Sequence, residues 1–231
     1  MDLKGEIFKD AEKFKILTRI IAHLMGDGCV SKTYFVYYNK NETLIDNFEK
    51  DILALFGPIH VIKGIKKSGV IYRMVQNKPL FDFLTAIVED YRSFSLRIPE
   101  FIKTKELQKE FLSALYDDEG SAPLRVFKKT NEIKRNVNLS SNSLKMIEQI
   151  KRILLENFEI NTNKISKNVY NRNSKVFINY ILNITGKDNL EKFQKQIGFK
   201  HPEKSARLDL MLNSYIRPIK SKSEDLKTQN C

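Results

Sequence analysis

The chain has 231 residues, 42% of them hydrophobic and including 15 Phe and 9 Tyr, so it can bury a sizeable core and is not globally disordered. Two cysteines, Cys29 and Cys231, exclude a disulfide scaffold and a Cys-rich zinc module. Forty Lys and Arg against 28 Asp and Glu leave a net charge of +12, which favours a polyanionic partner, most often nucleic acid. No apolar run reaches the ~18 residues of a membrane span, and the charged start MDLKGEIFKDAEKF is unlike a signal peptide. The expectation is an intracellular, soluble protein of the cytoplasm or an organelle matrix, with no membrane partner.

Residues 1–13 read as an N-terminal extension. From there Phe14, Leu17, Ile20, Ile21, Leu24 and Met25 recur at helical spacing up to Gly28. A β-rich run follows over Val30–Tyr38, and Asn41-Glu42-Thr43 opens a second helix that stops at Gly57-Pro58. Strands are expected at Ile59–Ile65 and Val70–Val75, around the turn Lys66-Lys67-Ser68-Gly69, and a third helix over Pro79–Tyr91. The order then repeats. A helix over 104–118 ends at Gly120, and strand material covers Leu124–Leu139 with a turn at Lys129-Thr130-Asn131-Glu132. A helix starts after Ser141-Asn142-Ser143, strands lie near Asn163–Lys167 and Lys175–Thr185, and a helix spans Asp188–Gln196. Each half, 14–102 and 103–216, thus reads as helix–strand–strand–helix–strand–strand–helix, a diverged internal duplication. A further helix is expected at 203–214, and the polar tail 217–231 reads as disordered.

The first helix of each half ends in an acid before glycine, Gly26-Asp27-Gly28 and Asp118-Glu119-Gly120. The glycines suit a left-handed helix terminus. A carboxylate there faces the negative end of the helix dipole, at a cost of roughly 0.3–1 kcal/mol, so two at equivalent positions suggest one shared site. Ala22 and Gly26 lie on one face, and Ala114 and Asp118 lie correspondingly in the second helix; small residues on such a face let two helices approach closely. Packed side by side, the helices would place Asp27 and Glu119 together in a negative pocket, and all-oxygen ligation favours Mg²⁺ over zinc.

Ile20–Gly28 (IIAHLMGDG) and Leu112–Gly120 (LSALYDDEG) resemble the two signature motifs of a single-chain LAGLIDADG homing endonuclease, and the order of elements over residues 14–198 resembles that family too. The resemblance implies an α+β fold of two pseudo-symmetric αββαββα repeats, with signature helices at the interface and antiparallel sheets forming a DNA-binding saddle. It implies a monomeric, site-specific endonuclease that hydrolyses both strands of a long, asymmetric double-stranded DNA target, leaving short 3′ overhangs, with no obligate protein partner. The metal role falls on Asp27 and Glu119, with Gly26 and Asp118 beside them; Mg²⁺ is the expected cofactor, Mn²⁺ a substitute, and Ca²⁺ would support binding without cleavage. Asn39 and Lys40 are the candidates for positioning water, with Leu139 and Ser140 as their counterparts by repeat alignment. Three positions depart from the family, one of them Met25, which stands where an acid is frequent. His23 replaces an apolar residue and reads as a packed helix residue, and Asp118 stands where the interface usually has a small one.

Strand alternation assigns the DNA face. Lys32, Tyr34 and Tyr38 are expected outward, as is Arg73, with Lys63, Lys66 and Lys67 nearby and Val70, Tyr72 and Met74 inward. In the second half Lys134, Asn136 and Asn138 are outward with Arg125, while Arg135 breaks the inward pattern. Val176, Ile178, Tyr180, Leu182 and Ile184 make one apolar face of the last strand, leaving Lys175, Asn179 and Asn183 on the other. Asn can grip adenine bidentately, Arg or Lys can grip guanine, and turn lysines meet phosphates. Alternatives on the same fold are an RNA-splicing maturase, whose partner would be intron RNA, and a DNA-binding regulator without catalysis. Self-splicing would need an N-terminal nucleophile and a C-terminal His-Asn pair, which Met1 and Asn230-Cys231 do not supply.

Overall fold

The computed structural model describes residues 3–127, 132–172 and 175–215. The expected turn at 129–132 and tail at 217–231 therefore fall wholly or largely outside the described residues. In chain order the helices are α1 (Leu3–Lys9), α2 (Ala11–Met25), α3 (Glu42–Phe56), α4 (Lys78–Ile87), α5 (Lys105–Glu119), α6 (Leu144–Phe158), α7 (Lys187–Gln196) and α8 (Pro202–Asn213). The strands are β1 (Gly28–Val30), β2 (Phe35–Asn39), β3 (Ile62–Ile65), β4 (Ile71–Val75), β5 (Gly120–Ser121), β6 (Leu124–Phe127), β7 (Glu132–Ser141), β8 (Ser166–Arg172) and β9 (Lys175–Thr185).

The two sheets are antiparallel and share one topology. The first runs β1-β2-β4-β3 and the second β5-β7-β9-β8, with β6 also pairing with β7. The caps repeat as well. Asn41 accepts from the Leu44 N–H at the start of α3, and Ser143 accepts from Met146 at the start of α6. Two residues earlier, the Asn39 side chain accepts from Asn41 N–H (2.9 Å), and the Ser141 hydroxyl accepts from Ser143 N–H (3.1 Å). These matched hydrogen bonds make Ser141 the counterpart of Asn39. The register agrees, since Gly28 pairs with Tyr37 and Gly120 with Leu139. The counterpart of Tyr37 is therefore Leu139, and the expected pairing of Leu139 with Asn39 is two residues out.

The core is continuous between the two sheets' inner faces and the helices, with Leu17, Ile20, Ile21 and Ala22 of α2 and Phe111, Leu112, Ala114 and Leu115 of α5 fully or almost fully buried. These two helices bury their facing stripes against each other, as expected from their small residues. Arg19, midway along α2, ties the arrangement together, donating to Asp51 of α3 (2.6 and 2.7 Å) and to Glu110 of α5 (3.0 Å). The N-terminal extension is more structured than its sequence suggested. Ile7 of α1 is buried, and Phe8 packs against Phe14 and Phe101, so α1 closes the lower end of the core.

The glycines after the signature helices have a different role from the expected one. Gly28 is absent from the positive-φ glycines, and Gly120 has φ −87°. What both positions lack room for is a Cβ: at Gly28 it would lie 2.4 Å from Leu24 Cα, and at Gly120 2.5 Å from the Tyr116 carbonyl oxygen. The chain turns back so closely over the last helical turn that only glycine fits.

Candidate two-carboxylate site between the signature helices

α2 and α5 meet closely at their C-terminal ends. A Cβ at Gly26 would lie 2.7 Å from Asp118 Cβ and 2.8 Å from Asp118 Oδ2, so the missing side chain of one helix makes the space for the carboxylate of the other. Asp118 fills that space. Its side chain is 0% exposed, His23 Nδ1 lies 2.9 Å from Oδ2, and the Tyr37 hydroxyl donates to Oδ1 at 2.6 Å. Burial opposes charge on His23, but the Asp118 carboxylate outweighs it and the imidazole pKa is raised. The same carboxylate and burial hold the Tyr37 hydroxyl firmly protonated. His23 is thus a hydrogen-bonded interface residue, as expected. Asp118 was grouped with the metal ligands; its two oxygens are instead engaged inside the helix interface.

Asp27 and Glu119 follow directly at the two helix ends. Asp27 reaches solvent, while Glu119 is half-buried. Loss of hydration, then Asp118, pushes the Asp27 pKa up to about 6. Loss of hydration, then Asp27 and Asp118, pushes Glu119 up to about 7. Asp27 is thus near enough to Glu119 to act on its charge. Asn39 orients the first acid: its amide oxygen is held by the Asn41 N–H, which turns its NH₂ group toward Asp27 Oδ2 at 3.1 Å. Lys40 is exposed at the end of β2. Glu119, Gly26, Ser140, Ser141 and Asn179 share the lining of a pocket of about 130 Å³. Among the described residues no three His, Cys, Asp or Glu side chains converge on one point. A cation here would be met by two carboxylates and would need other oxygens to complete its shell, as Mg²⁺ commonly does with water and substrate phosphate.

Sequence reasoning missed Lys204. It comes from α8, after the last helix of the repeated order, and its ammonium donates to the carbonyls of Tyr116 (3.3 Å), Asp117 and Asp118 (3.1 Å) at the end of α5. Burial lowers its pKa, against the pull of Asp118, Asp117, Asp27 and Glu119. No local pattern marks a lysine whose partners lie more than eighty residues away.

The expected DNA face divides. Tyr38 and Tyr72 pair across β2 and β4 on the outer face, with Lys66 Nζ 3.6 Å from the Tyr38 ring centroid. Lys32 and Lys67 are exposed, and Tyr34 is half-buried. Arg73 and Lys63 are corrections. Arg73 pairs with the fully buried Tyr37 and with Lys63, so both basic residues lie on the helix side, where they bind Glu49 of α3. Tyr72, expected inward, takes the outer face instead. In the second sheet Arg125 and Lys134 are cross-strand partners and exposed. Asn138 accepts from the Ser121 hydroxyl (2.8 Å), and Asn136 donates to Asn183 (2.9 Å). Asn136 is 1% exposed, so it supports Asn183 and does not itself reach outward. Asn179 and Asn183 are half-buried on the same outer row, and the side chain of Lys175 lies outside the described residues. Leu182 and Ile184 are buried as expected, but Val176 and Ile178 are 67% and 37% exposed, because β9 extends past the part of the sheet that the helices cover. On the opposite face of that extension Tyr170 stacks on Phe177, centroids 5.6 Å apart. Arg135 finds its partner just past the end of α8, donating to the Ser214 hydroxyl (2.7 Å) and carbonyl (3.0 Å).

Comparison with known proteins places these features. Residues 106–198 match the family described as LAGLIDADG-like domain. The chain is 25% identical to tRNA-splicing ligase RtcB of Pyrococcus furiosus over 89% of its own length and 23% of that protein's. It is 24% identical to the replication factor C small subunit of Methanocaldococcus jannaschii over 90% of its own length and 13% of that protein's. It therefore spans less than a quarter of the curated relatives it matches. Mesophilic variants of the homing endonuclease I-DmoI superpose with a TM-score of 0.58 at 20% identity, covering 85% of this chain and 97% of that one. I-DmoI in complex with DNA and Ca gives a TM-score of 0.54 at 18% identity over 85% and 97%. The homing endonuclease I-WcaI bound to its DNA recognition sequence gives 0.50 at 16% identity over 84% and 86%. With a LAGLIDADG-like domain over residues 106–198 and the same strand order in its first half, this chain has the α+β fold of the homing endonucleases.

Proposed function

We propose that the chain is a site-specific, divalent-metal-dependent DNA endonuclease that cuts both strands of a long asymmetric target and acts as a monomer of two halves, 14–102 and 103–216. The observation that carries this reading is the pair Asp27 and Glu119, carried at the ends of two packed helices, where Asp27 raises the cost of charge on Glu119. The donor set is all oxygen, which suits Mg²⁺ or Mn²⁺, and Ca²⁺ as a ligand for binding alone. Bound there, the metal would polarise the scissile phosphate, lower the pKa of a water and stabilise the leaving oxygen.

The chain's own residues do the positioning. Asn39 fixes the Asp27 carboxylate, Lys40 is exposed next to it in sequence as the candidate for ordering water, and Asp118 keeps the two helices in register without leaving the interface. The outer faces offer Tyr38, Tyr72 and Lys66 on one side and Asn138, Asn179 and Asn183 on the other. Unlike rows suit an asymmetric site. The two curated relatives have unrelated names, a ligase and a replication factor, yet each matches nearly all of this chain. A segment common to both supports a separable module whose chemistry is neither ligation nor replication.

The test is selection of cleaved duplexes from a randomised library in Mg²⁺. Wild-type protein is expected to enrich one long sequence, and Asp27→Asn or Glu119→Gln to abolish its cleavage while retaining binding in Ca²⁺. Full cutting by both variants would refute the site; binding without cleavage by the wild type would identify a binding protein on this fold.

A further inference from the structure

The last turn of α5 is held by a segment that follows the αββαββα order of the second half. The matched LAGLIDADG-like domain ends at residue 198, and α8 begins at Pro202. Between them Asp117 Oδ1 accepts the N–H groups of Lys200 and His201, both at 2.9 Å, which turns the chain back onto α5. Phe199 packs on Tyr116 and Phe193, and at the far end Arg135 holds the Ser214 carbonyl, so the segment is anchored at both ends. From the middle of this strap Lys204 places its ammonium against three successive carbonyls, those of Tyr116, Asp117 and Asp118.

A helix C-terminus carries about half a negative charge on its unpaired carbonyls. Here it also adjoins the carboxylates of Asp117, Asp118, Glu119 and Asp27, and an ammonium supplies the opposite charge together with three directional donors. The end of α2 has no such partner among the described residues: Ala22 O accepts from Gly26 N–H, and Asp27 O accepts from Tyr38 N–H. The two halves of the site are therefore supported unequally.

We infer that Lys204 is a positioning residue for Glu119: by fixing the last turn of α5 through its carbonyls, it directs this carboxylate and not Asp27. The inference rests on the two-acid reading above, and it makes the two strand cuts inequivalent. Lys204 acts through the backbone and touches no substrate in this account.

The test compares full-length wild type with Lys204→Met, Lys204→Gln, Lys204→Arg and, as a control on the exposed face of the same helix, Arg207→Met. Hydrogen exchange is read first, without DNA or metal. Lys204→Met is expected to speed exchange of the amides over residues 117–121 about tenfold or more, with the end of α2 unchanged, Arg restoring most of the protection and Arg207→Met altering nothing. Strand cleavage is then read separately on a duplex recovered by the selection, in Mg²⁺. Lys204→Met is expected to slow one strand at least tenfold more than the other, so that nicked duplex accumulates, while binding in Ca²⁺ changes less than threefold. Lys204→Gln keeps one carbonyl donor without the charge and replaces Met if that variant loses its cooperative melt. Unchanged exchange at the end of α5, or equal slowing of both strands, would overturn the inference. A wild type that cuts nothing would sink the endonuclease reading instead, and the exchange comparison would still decide whether Lys204 fixes this turn.

Discussion

Replacing Glu119 by Gln should stabilise the metal-free protein. The carboxyl is half-buried near two other acids, and its pKa rises from 4.5 to about 7. At ~1.4 kcal/mol per unit this is at most about 3.5 kcal/mol, and partial solvent access reduces it to about 2 kcal/mol. The direction with pH follows from the two states. Below pH 4.5 the group is protonated in both and contributes nothing. Between 4.5 and about 7 the unfolded chain is ionised while the folded one holds its proton, so the wild type loses stability steadily as pH rises. Above about 7 the folded group also ionises and the deficit levels off. For a chain of this size the expected gain is ~4–8 °C in Tm at pH 8, shrinking toward zero near pH 4.5. The assay is thermal denaturation in EDTA across pH 4.5–8.5 for both proteins. Equal Tm values at pH 8, or a gap that narrows as pH rises, would show that Glu119 is not in the negative crevice described. Adding Mg²⁺ should raise the wild-type Tm and close the gap, since a bound cation stabilises the ionised form.

Three further outcomes follow from the packing. Gly26→Ala should lower stability by about 1–3 kcal/mol in urea unfolding, because its Cβ would sit 2.7 Å from Asp118 Cβ; no change would mean the helices have slack there. Asp118→Leu leaves His23 and the Tyr37 hydroxyl buried without their acceptor and should cost about 3–5 kcal/mol, and adding His23→Leu should recover part of it; strictly additive losses would argue against a coupled cluster. Neutralising Lys66 and Lys67 should each reduce the slope of log K against log salt for DNA binding by about one, whereas Arg73→Gln should leave the slope intact and lower Tm, because Arg73 is committed to Glu49.

Helix positions were legible because apolar spacing and capping residues are local. Asn41, Thr104 and Ser143 cap the helices that their sequence contexts announced. The two acids were legible because the duplication marked them twice. Strand faces were legible only in part: Leu182 and Ile184 of β9 point inward as expected, whereas the rows of β4 are exchanged. Alternation divides β4 into two rows but does not say which row meets the helices; that choice was made by Glu49, which draws Arg73 and Lys63 to the helix side. Asp118 posed a similar problem. Its charge argued against close packing until His23, Tyr37 and the bare backbone of Gly26 supplied partners and room from another part of the chain. Lys204 and Arg135 were invisible for the same reason, since their acceptors belong to elements brought near only by the fold.

The fit of Gly26 to Asp118 also determines what the halves could do if the chain were divided. Two copies of the first half would set glycine against glycine and leave a void beside two histidines without an acceptor. Two copies of the second would force a pair of anions together with no imidazole or phenol between them. Only unlike halves satisfy the seam, so co-expressed fragments should assemble as heterodimers, and joining them in one chain guarantees that each half meets the complement it cannot find in a copy of itself.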